Sequence, residues 1–411
     1  MTGKQSHKII GEGSYGCVVK PSLKCGKNEP EPKTYKNTIS KIMTKRHAEQ
    51  EIEEFEKVLN IPGIEQHFIP KPHICKPNDD DTYKTLLATC KNKLIKQPDA
   101  HPRVLIMEDG GITLEKVLEI IPNMNHGEFK QFVCAWRQII DSICFLWKHK
   151  IMHHDLKLAN IVYQMKNGKI RLIDFGKVKT MDTFIQNSKI NENFEGVEWF
   201  NYPTENNCTN QVHYDTKSRC QLLKQTIPYN EFIVKAAMTF DTYGIGVAFQ
   251  DMLDTLRENY ETREDVSVEM YFGIPWAFFE AFEMIAKNMY EPDIVKRINN
   301  PDSFLKQFDA LCKTYHVQCK PSNRISTKMK KSLEEVPHVV PETIFQNVKL
   351  YPAASKKQEC ERKGKRYNPY TKKCVRKCNR KKNMVRLNQP PTVTRKKGVF
   401  KCIKKKSYIV Y

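Results

Sequence analysis

The stretch that most restricts this chain is Ile151-Met152-His153-His154-Asp155-Leu156-Lys157-Leu158-Ala159-Asn160, followed nineteen residues after Asp155 by Leu172-Ile173-Asp174-Phe175-Gly176. Asp155, Lys157 and Asn160 are polar residues in an apolar frame, and a second acid, Asp174, returns after a hairpin signal at Asn167-Gly168. Upstream, Phe132, Val133, Trp136, Ile139, Ile140, Ile143, Leu146 and Trp147 recur at helical spacing, which predicts a long helix from Glu128 to His149. The order is therefore helix, polar loop, hairpin, acidic turn.

The N-terminal third reads as strands. Lys8-Ile9-Ile10 and Cys17-Val18-Val19-Lys20 flank a glycine turn, Gly11-Glu12-Gly13-Ser14-Tyr15-Gly16. Such a loop lets backbone amides approach a phosphate chain closely. A polar stretch with Pro21, Pro30 and Pro32 predicts a loop, and Ile39 to Met43 a short strand. Residues 46–59 place Ile52, Phe55, Val58 and Leu59 on one face of a helix that Pro62-Gly63 ends. Residues 61–103 are Pro-rich and read as irregular, with Val104 to Met107 a strand at their end. From about residue 230 to 312 the pattern is helical.

With the glycine loop, the polar loop and Asp174-Phe175-Gly176 in this order, residues 8–312 resemble the eukaryotic-type protein kinases. The resemblance implies a bilobal α+β fold with ATP in the cleft and Mg²⁺, or Mn²⁺, as the metal. It implies that Asp155 orients or accepts the proton of a substrate hydroxyl, that Lys157 sits near the transferred phosphate, and that Asn160 and Asp174 hold the metal. Ile10, Gly11, Glu12, Gly13, Ser14, Tyr15, Gly16, Cys17 and Val18 would cover the nucleotide. Lys41 fits the strand lysine that reaches the phosphates, with Lys20 a rival. Glu51 is the expected helix partner of that lysine, because Phe55 and Val58 share its face, and Glu54 and Glu49 are alternatives. Met107, Glu108 and Asp109, followed by Gly110-Gly111, resemble the hinge that binds adenine. Tyr202-Pro203-Thr204-Glu205 resembles the Ala-Pro-Glu end of an activation segment, Asp241 the acid that braces the catalytic loop, and Arg297 the partner of Glu205.

The pattern also departs from that family. His154 stands where an arginine commonly grips a phosphorylated activation loop, which implies weaker dependence on such phosphorylation. A histidine there also raises a pH-sensing role. Thr180, Thr183 and Ser188 are candidate phosphosites, Lys177 brings another cation to the site, and Glu198 to Asn201 is unusual in sequence. Lys157, two residues after Asp155, implies Ser/Thr rather than Tyr specificity. The insertion-rich N-terminal lobe and the tail look similar to kinases of large nucleocytoplasmic DNA viruses of the iridovirus type. Cys360 to Val375, with Asn368-Pro369-Tyr370-Thr371, resembles short cysteine-bearing modules of such viruses.

Charge divides the chain. Residues 352–411 hold 21 Lys/Arg against Glu359 and Glu361, and residues 313–351 hold seven against three acids. Of the net +21, residues 1–312 therefore carry −2, so a nearly neutral body bears a basic tail. That tail can be read as a nucleic-acid or polyanion binder, with Tyr367, Tyr370 and Phe400 to stack on bases. It can also be a Cys-stapled or zinc-bound module through Cys360, Cys374, Cys378 and Cys402, or a solvated appendage for localisation. Of fourteen cysteines, nine lie in residues 1–312. Without a secretory signal their default is reduced, buried thiols. No run of about 18 apolar residues is present, so no membrane span is expected.

The domains expected are an N-lobe with insertions at 1–107, a C-lobe at 108–312, a linker at 313–351 and a basic Cys-containing tail at 352–411. The expected activity is Ser/Thr protein kinase on a protein substrate. The alternatives are a pseudokinase scaffold or a nucleic-acid-binding protein acting through the tail. The expected location is cytoplasmic, the host cytoplasm for a viral protein, with nucleus or virion as alternatives.

Overall fold

Glycine and proline breaks cut the first third into short apolar runs, and these pair as an antiparallel sheet. The structure, a computed structural model, describes residues 6–13, 15–56, 58, 60–190, 201–260, 273–319 and 325–335, and the strands at 365–368 and 373–376. Strands β1 (Lys8–Gly13), β2 (Gly16–Lys20) and β3 (Thr38–Met43) lead into helix α1 (Lys45–Glu56). The short α2 (Ile64–His67), strand β4 (His73–Cys75), helix α3 (Asp81–Thr89) and strand β5 (Arg103–Glu108) follow. The sheet order is β1-β2-β3-β5-β4. Gly16 is needed where β2 crosses β3, because a Cβ there would fall 1.8 Å from the Ile42 carbonyl oxygen. The first constraint on this glycine is thus sheet packing.

The stretch 61–103, expected to be irregular, instead contains β4 and α3. Asp80 caps α3 by accepting the Tyr83 amide, and Tyr83 and Leu86 bury one turn apart in the core of the sheet. One apolar turn framed by charges and prolines is too short for periodicity to show.

The second lobe begins with β6 (Ile112–Thr113), α4 (Leu114–Ile120) and α5 (His126–Lys148). Asn125 and Glu128 form a reciprocal capping box that starts α5 two residues before the apolar pattern does. The polar loop lies between β7 (Ile151–Met152) and the hairpin β8 (Ile161–Gln164) and β9 (Lys169–Leu172). Next come β10 (Lys179–Thr180), α6 (Met181–Lys189), α7 (Gln211–Thr216), α8 (Gln221–Thr226), α9 (Tyr229–Tyr260), α10 (Trp276–Met289), α11 (Asp302–Thr314) and α12 (Thr327–Glu335). The core of this lobe gathers Trp136 of α5, Phe249 of α9 and Phe282 of α10, with the Trp136 and Phe282 rings 5.0 Å apart. Residues Tyr229–Glu258 are long and apolar enough to cross a membrane, but 83% of their most apolar window is buried inside the fold.

The expected linker begins as folded chain. Glu128 accepts the Ser326 amide at 2.7 Å, and Met329 of α12 is fully buried in the C-lobe core. The described part of residues 1–342 is one compact unit. In the second unit, 343–411, β11 (Lys365–Asn368) pairs antiparallel with β12 (Lys373–Arg376).

The expectation of reduced thiols is corrected. Cys17–Cys90, Cys25–Cys75, Cys134–Cys319 and Cys208–Cys220 are disulfides, with Cα separations of 6.2, 5.7, 5.4 and 5.7 Å. All four fall within the window that a disulfide requires. Cys134–Cys319 closes a span of 185 residues and fixes the chain just before α12 to α5. Among the described residues, Cys144 and Cys312 are free. Alkylation of the unfolded chain without reductant, followed by peptide mapping, should label Cys144 and Cys312 and leave the eight paired cysteines unlabelled. Labelling of all ten would contradict the pairing.

Candidate active site

The site is assembled where the sheet meets α1 and the polar loop. Lys41 projects from β3, and its Nζ lies 2.6 Å from Glu51 Oε2 on α1. Ala48, Glu51 and Phe55 are the buried positions of that helix, with Glu51 and Phe55 one turn apart. Lys20, the rival lysine, pairs with Asp109 Oδ2 at 2.6 Å instead, and Glu49 pairs with Lys45 at the surface. Burial opposes the Lys41 charge, but Glu51 and Asp174 outweigh it and raise its pKa. Burial also pushes Glu51 up, against the pull of Lys41.

A column of rings joins α1 to the polar loop. Phe175 lies 4.2 Å from Phe55 and 4.9 Å from Phe68, and Phe68 stacks on His153 at 6.2 Å. The ring that follows Asp174 is therefore packed on the helix that carries Glu51. Asp174 itself has a positive φ of 69°, and its Oδ1 accepts the Gly176 amide. Burial opposes its charge, but Lys41 and that amide hold its pKa below the ordinary carboxylate value.

The polar loop is gripped on several sides. Asp241 of α9 accepts the His153 and His154 amides at 2.6 and 2.9 Å. The His153 ring donates Nε2–H to the Ile173 carbonyl at 3.0 Å, tying the loop to the segment before Asp174. Asp155 Oδ2 receives Lys157 Nζ at 3.0 Å and Asn160 Nδ2 at 3.1 Å. Lys177 Nζ lies 3.5 Å from Asp155 Oδ1. The Asn160 amide also donates to the Asp155 carbonyl at 2.8 Å, so its oxygen is the atom left to meet a cation. Asn160 and Asp174 thus offer an oxygen-only donor set that suits a hard divalent ion.

The glycine loop is held from outside by the insertion. Cys90 is bonded to Cys17, the Lys91 amide donates to Glu12 Oε1 at 2.9 Å, and Asn92 Nδ2 donates to the Gly13 carbonyl at 2.8 Å. Val18 lies opposite Lys41 in the sheet, and Tyr15 lies 4.9 Å from the His47 ring. Ser14 is outside the described residues. On the other side, Lys116 of α4 donates to the Ile10 carbonyl at 2.9 Å and bridges the lobes. Met107 is half-buried next to the end of β5, Glu108 ends that strand and pairs with Arg171 at 2.8 Å, and Asp109 Oδ1 accepts the Gly111 amide. Gly111 has a φ of 101°, and a Cβ there would fall 2.2 Å from the Tyr163 oxygen, so only glycine fits.

Glu205 and Arg297 meet in a buried bidentate pair at 2.6 and 3.3 Å. Thr239 and the Glu291 carbonyl take further guanidinium hydrogens. Ser188 is fully buried, which removes it as a phosphosite, while Thr180 caps α6 and shares a hydroxyl hydrogen bond with Thr183. Residues 191–200, including the unusual Glu198 to Phe200, lie outside the described residues. A surface cavity of about 550 Å³ lined by Ile227, Val234 and Val295 shares none of the residues above.

Residues 4–217 match the protein kinase domain, just over half of the chain. The chain belongs to the protein kinase family. Among curated proteins, this chain is 30% identical over 185 residues to Dual specificity protein kinase zakA of Dictyostelium discoideum, covering 44% of this chain and 19% of that protein. It is 25% identical over 196 residues to Cyclin-dependent kinase-like 2 of Pongo abelii, covering 47% of this chain and 33% of the relative. It is 26% identical over 155 residues to Serine/threonine-protein kinase SSN3 of Candida albicans, covering 36% and 23%. The kinase therefore spans a third or less of the length of these relatives.

Sequence reasoning missed Lys116, Asn92, Asn201 and the hydroxyl of Tyr202, which donate to the Ile10, Gly13, Leu156 and His154 carbonyls. None carries a motif signal, because each acts through a backbone carbonyl.

His154 is enclosed by Phe184, Phe240 and Tyr202, with ring separations of 5.5, 4.4 and 5.6 Å. Burial first, then Lys179 and Lys177, lower its pKa well below 6.5. The ring is neutral at physiological pH and cannot serve as an arginine. Well above about pH 6.5 it is uncharged in both folded and unfolded states. As pH drops through about 6.5 the unfolded chain takes up a proton that the folded one refuses, so stability decreases as pH decreases, by up to about 1.4 kcal/mol per unit. His154→Asn, which tolerates the positive φ of 64°, should flatten the decline in melting temperature between about pH 7 and about pH 5. An unchanged slope would mean that other groups cause it.

Proposed function

We propose that this chain transfers the γ-phosphate of ATP to Ser or Thr hydroxyls of proteins. The observation that carries the reading is the Lys41–Glu51 pair, closed at 2.6 Å beside Asp174 and in the same fold as Asp155 and Asn160. A partly buried lysine paired with a buried glutamate beside an ordered polar loop favours an enzyme over a kinase-shaped scaffold. Phosphoryl transfer needs cations on the moving charge and a hydroxyl held in line.

Each residue has a task in this reading. Lys41 would bind the α- and β-phosphates, held in place by Glu51. The strands around Gly11, Gly13 and Gly16 would close over the phosphates, and the backbone at Met107 to Asp109 would take the adenine. Asp155 would orient the substrate hydroxyl and hold its proton, while Lys157 offsets charge on the transferred group. Asn160 and Asp174 would hold Mg²⁺, which neutralises phosphate charge when bound. Lys157, two residues after Asp155, supports Ser/Thr specificity, as does the name of the C. albicans relative. The D. discoideum relative is named dual specificity, so tyrosine belongs in the assay.

The basic tail serves, in our reading, to deliver the domain to a polyanion, nucleic acid included. Its charge of +19 supports this. A viral origin rests on the sequence of residues 360–375 and the insertions alone; the relatives named above come from a slime mould, an ape and a yeast. A cytoplasmic location remains a proposal, and one that must accommodate four disulfides.

The test is transfer of labelled phosphate from ATP with Mg²⁺ to a basic protein, with phosphoamino-acid analysis. Wild type should label Ser or Thr, and Asp155→Asn should lose about 10²-fold or more in rate. Equal labelling by wild type and Asp155→Asn would show that the activity comes from elsewhere. No labelling by wild type with this substrate, together with no Mg²⁺-dependent nucleotide binding, would favour the scaffold.

A further inference from the structure

The two residues flanking Asp155 are both held from the far end of the activation segment. The Tyr202 hydroxyl donates to the His154 carbonyl at 3.0 Å. The Asn201 side-chain amide donates to the Leu156 carbonyl at 3.0 Å, with Asn201 buried. Consecutive residues of one segment thus grip the carbonyls immediately before and after the catalytic aspartate.

The same tyrosine reaches the carboxylate through a lysine. Lys177 Nζ donates to the Tyr202 hydroxyl at 3.1 Å and lies 3.5 Å from Asp155 Oδ1. It also lies 5.5 Å from the Tyr202 ring centroid. The tyrosine hydroxyl accepts one hydrogen bond and donates another, so both its roles are filled. Its ring packs on His154 and Phe240, at 5.6 and 5.0 Å, which fixes the hydroxyl in place. Oδ2 of Asp155 is already taken by Lys157 and Asn160, so Lys177 supplies the contact on the other oxygen.

We propose that Asn201, Tyr202 and Lys177 form a positioning clamp that sets the Asp155 carboxylate for transfer without a phosphorylated residue in the activation segment. The inference rests on the kinase reading above. Its physical basis is that a carboxylate must be held to within a fraction of an ångström to align a hydroxyl, and that displacement by about 1 Å costs about 10²-fold in rate. The neutral, ring-enclosed His154 cannot grip a phosphate. The clamp makes the loop's order intrinsic: both of its ends, Lys177 and Asn201-Tyr202, belong to the activation segment itself.

The experiment compares the full chain as wild type, Tyr202→Phe, Lys177→Met, Lys177→Arg and the Tyr202→Phe/Lys177→Met double variant, all treated with phosphatase and checked by intact mass. Tyr202→Phe keeps the ring and loses both hydrogen bonds. It should lower kcat about 10- to 100-fold and leave KM for ATP within about twofold. Lys177→Met should behave alike, and Lys177→Arg should restore most of the rate. The double variant should be no more than about threefold slower than the worse single one, because the two act as a unit. Phosphatase-treated wild type should keep its full rate.

A Tyr202→Phe kcat within about twofold of wild type would overturn the clamp, as would effects that multiply in the double variant. So would a tenfold or greater loss in wild type on phosphatase treatment, since the clamp is proposed to act without phosphate. A wild type that transfers no phosphate at all would sink the kinase reading itself, which is a different outcome from an active wild type that is indifferent to Tyr202.

Discussion

A lysine and a glutamate buried 2.6 Å apart couple the sheet to its helix, and the rest of the site depends on that contact. Each charge is costly to bury alone, and together they persist only if β3 and α1 keep one relative position. Phe55, on the Glu51 face, then receives Phe175, and Phe175 fixes the turn that presents Asp174. A single ion pair thereby sets three groups that come from a strand, a helix and a loop more than a hundred residues downstream.

The polar loop is held by a different principle. Its backbone is secured by polar groups from the helical lobe. Asp241 accepts from two consecutive amides, Asn201 and Tyr202 donate to two carbonyls, and His153 donates to the Ile173 carbonyl just before Asp174. The Glu205–Arg297 pair lies behind this arrangement, with side chains 4% and 0% exposed. Removing one partner of such a pair leaves an uncompensated charge and typically costs about 3–5 kcal/mol. The loop thus inherits rigidity from the larger core and does not need to be stable by itself.

Much of this was legible in the residues. Period-3.6 patterning located α5, glycine punctuation located the first hairpin, and, once the family resemblance implied a lysine–glutamate pair, the face shared with Phe55 picked out Glu51. The glycine at 16 was legible for an incomplete reason: it suits a phosphate loop, but its close approach to Ile42 is a matter of sheet packing. What stayed hidden depends on long-range contacts. No local pattern says that Cys17 meets Cys90 across 73 residues, or that the chain beyond residue 313 returns to α5 through Cys319 and Ser326. Tyr202 was read as part of a motif remnant, whereas its hydroxyl serves His154 and Lys177.

In the reading proposed above, Lys41, Glu51, Asn160 and Asp174 form one nucleotide–metal site. The most direct measurement is calorimetric binding of a non-hydrolysable ATP analogue, with and without Mg²⁺, to wild type and Asp174→Asn. The account predicts that Mg²⁺ tightens binding to wild type about tenfold or more and that Asp174→Asn loses this enhancement while still binding the metal-free nucleotide. Equal Mg²⁺ enhancement in the two proteins would contradict it, because the metal would then be held by other groups.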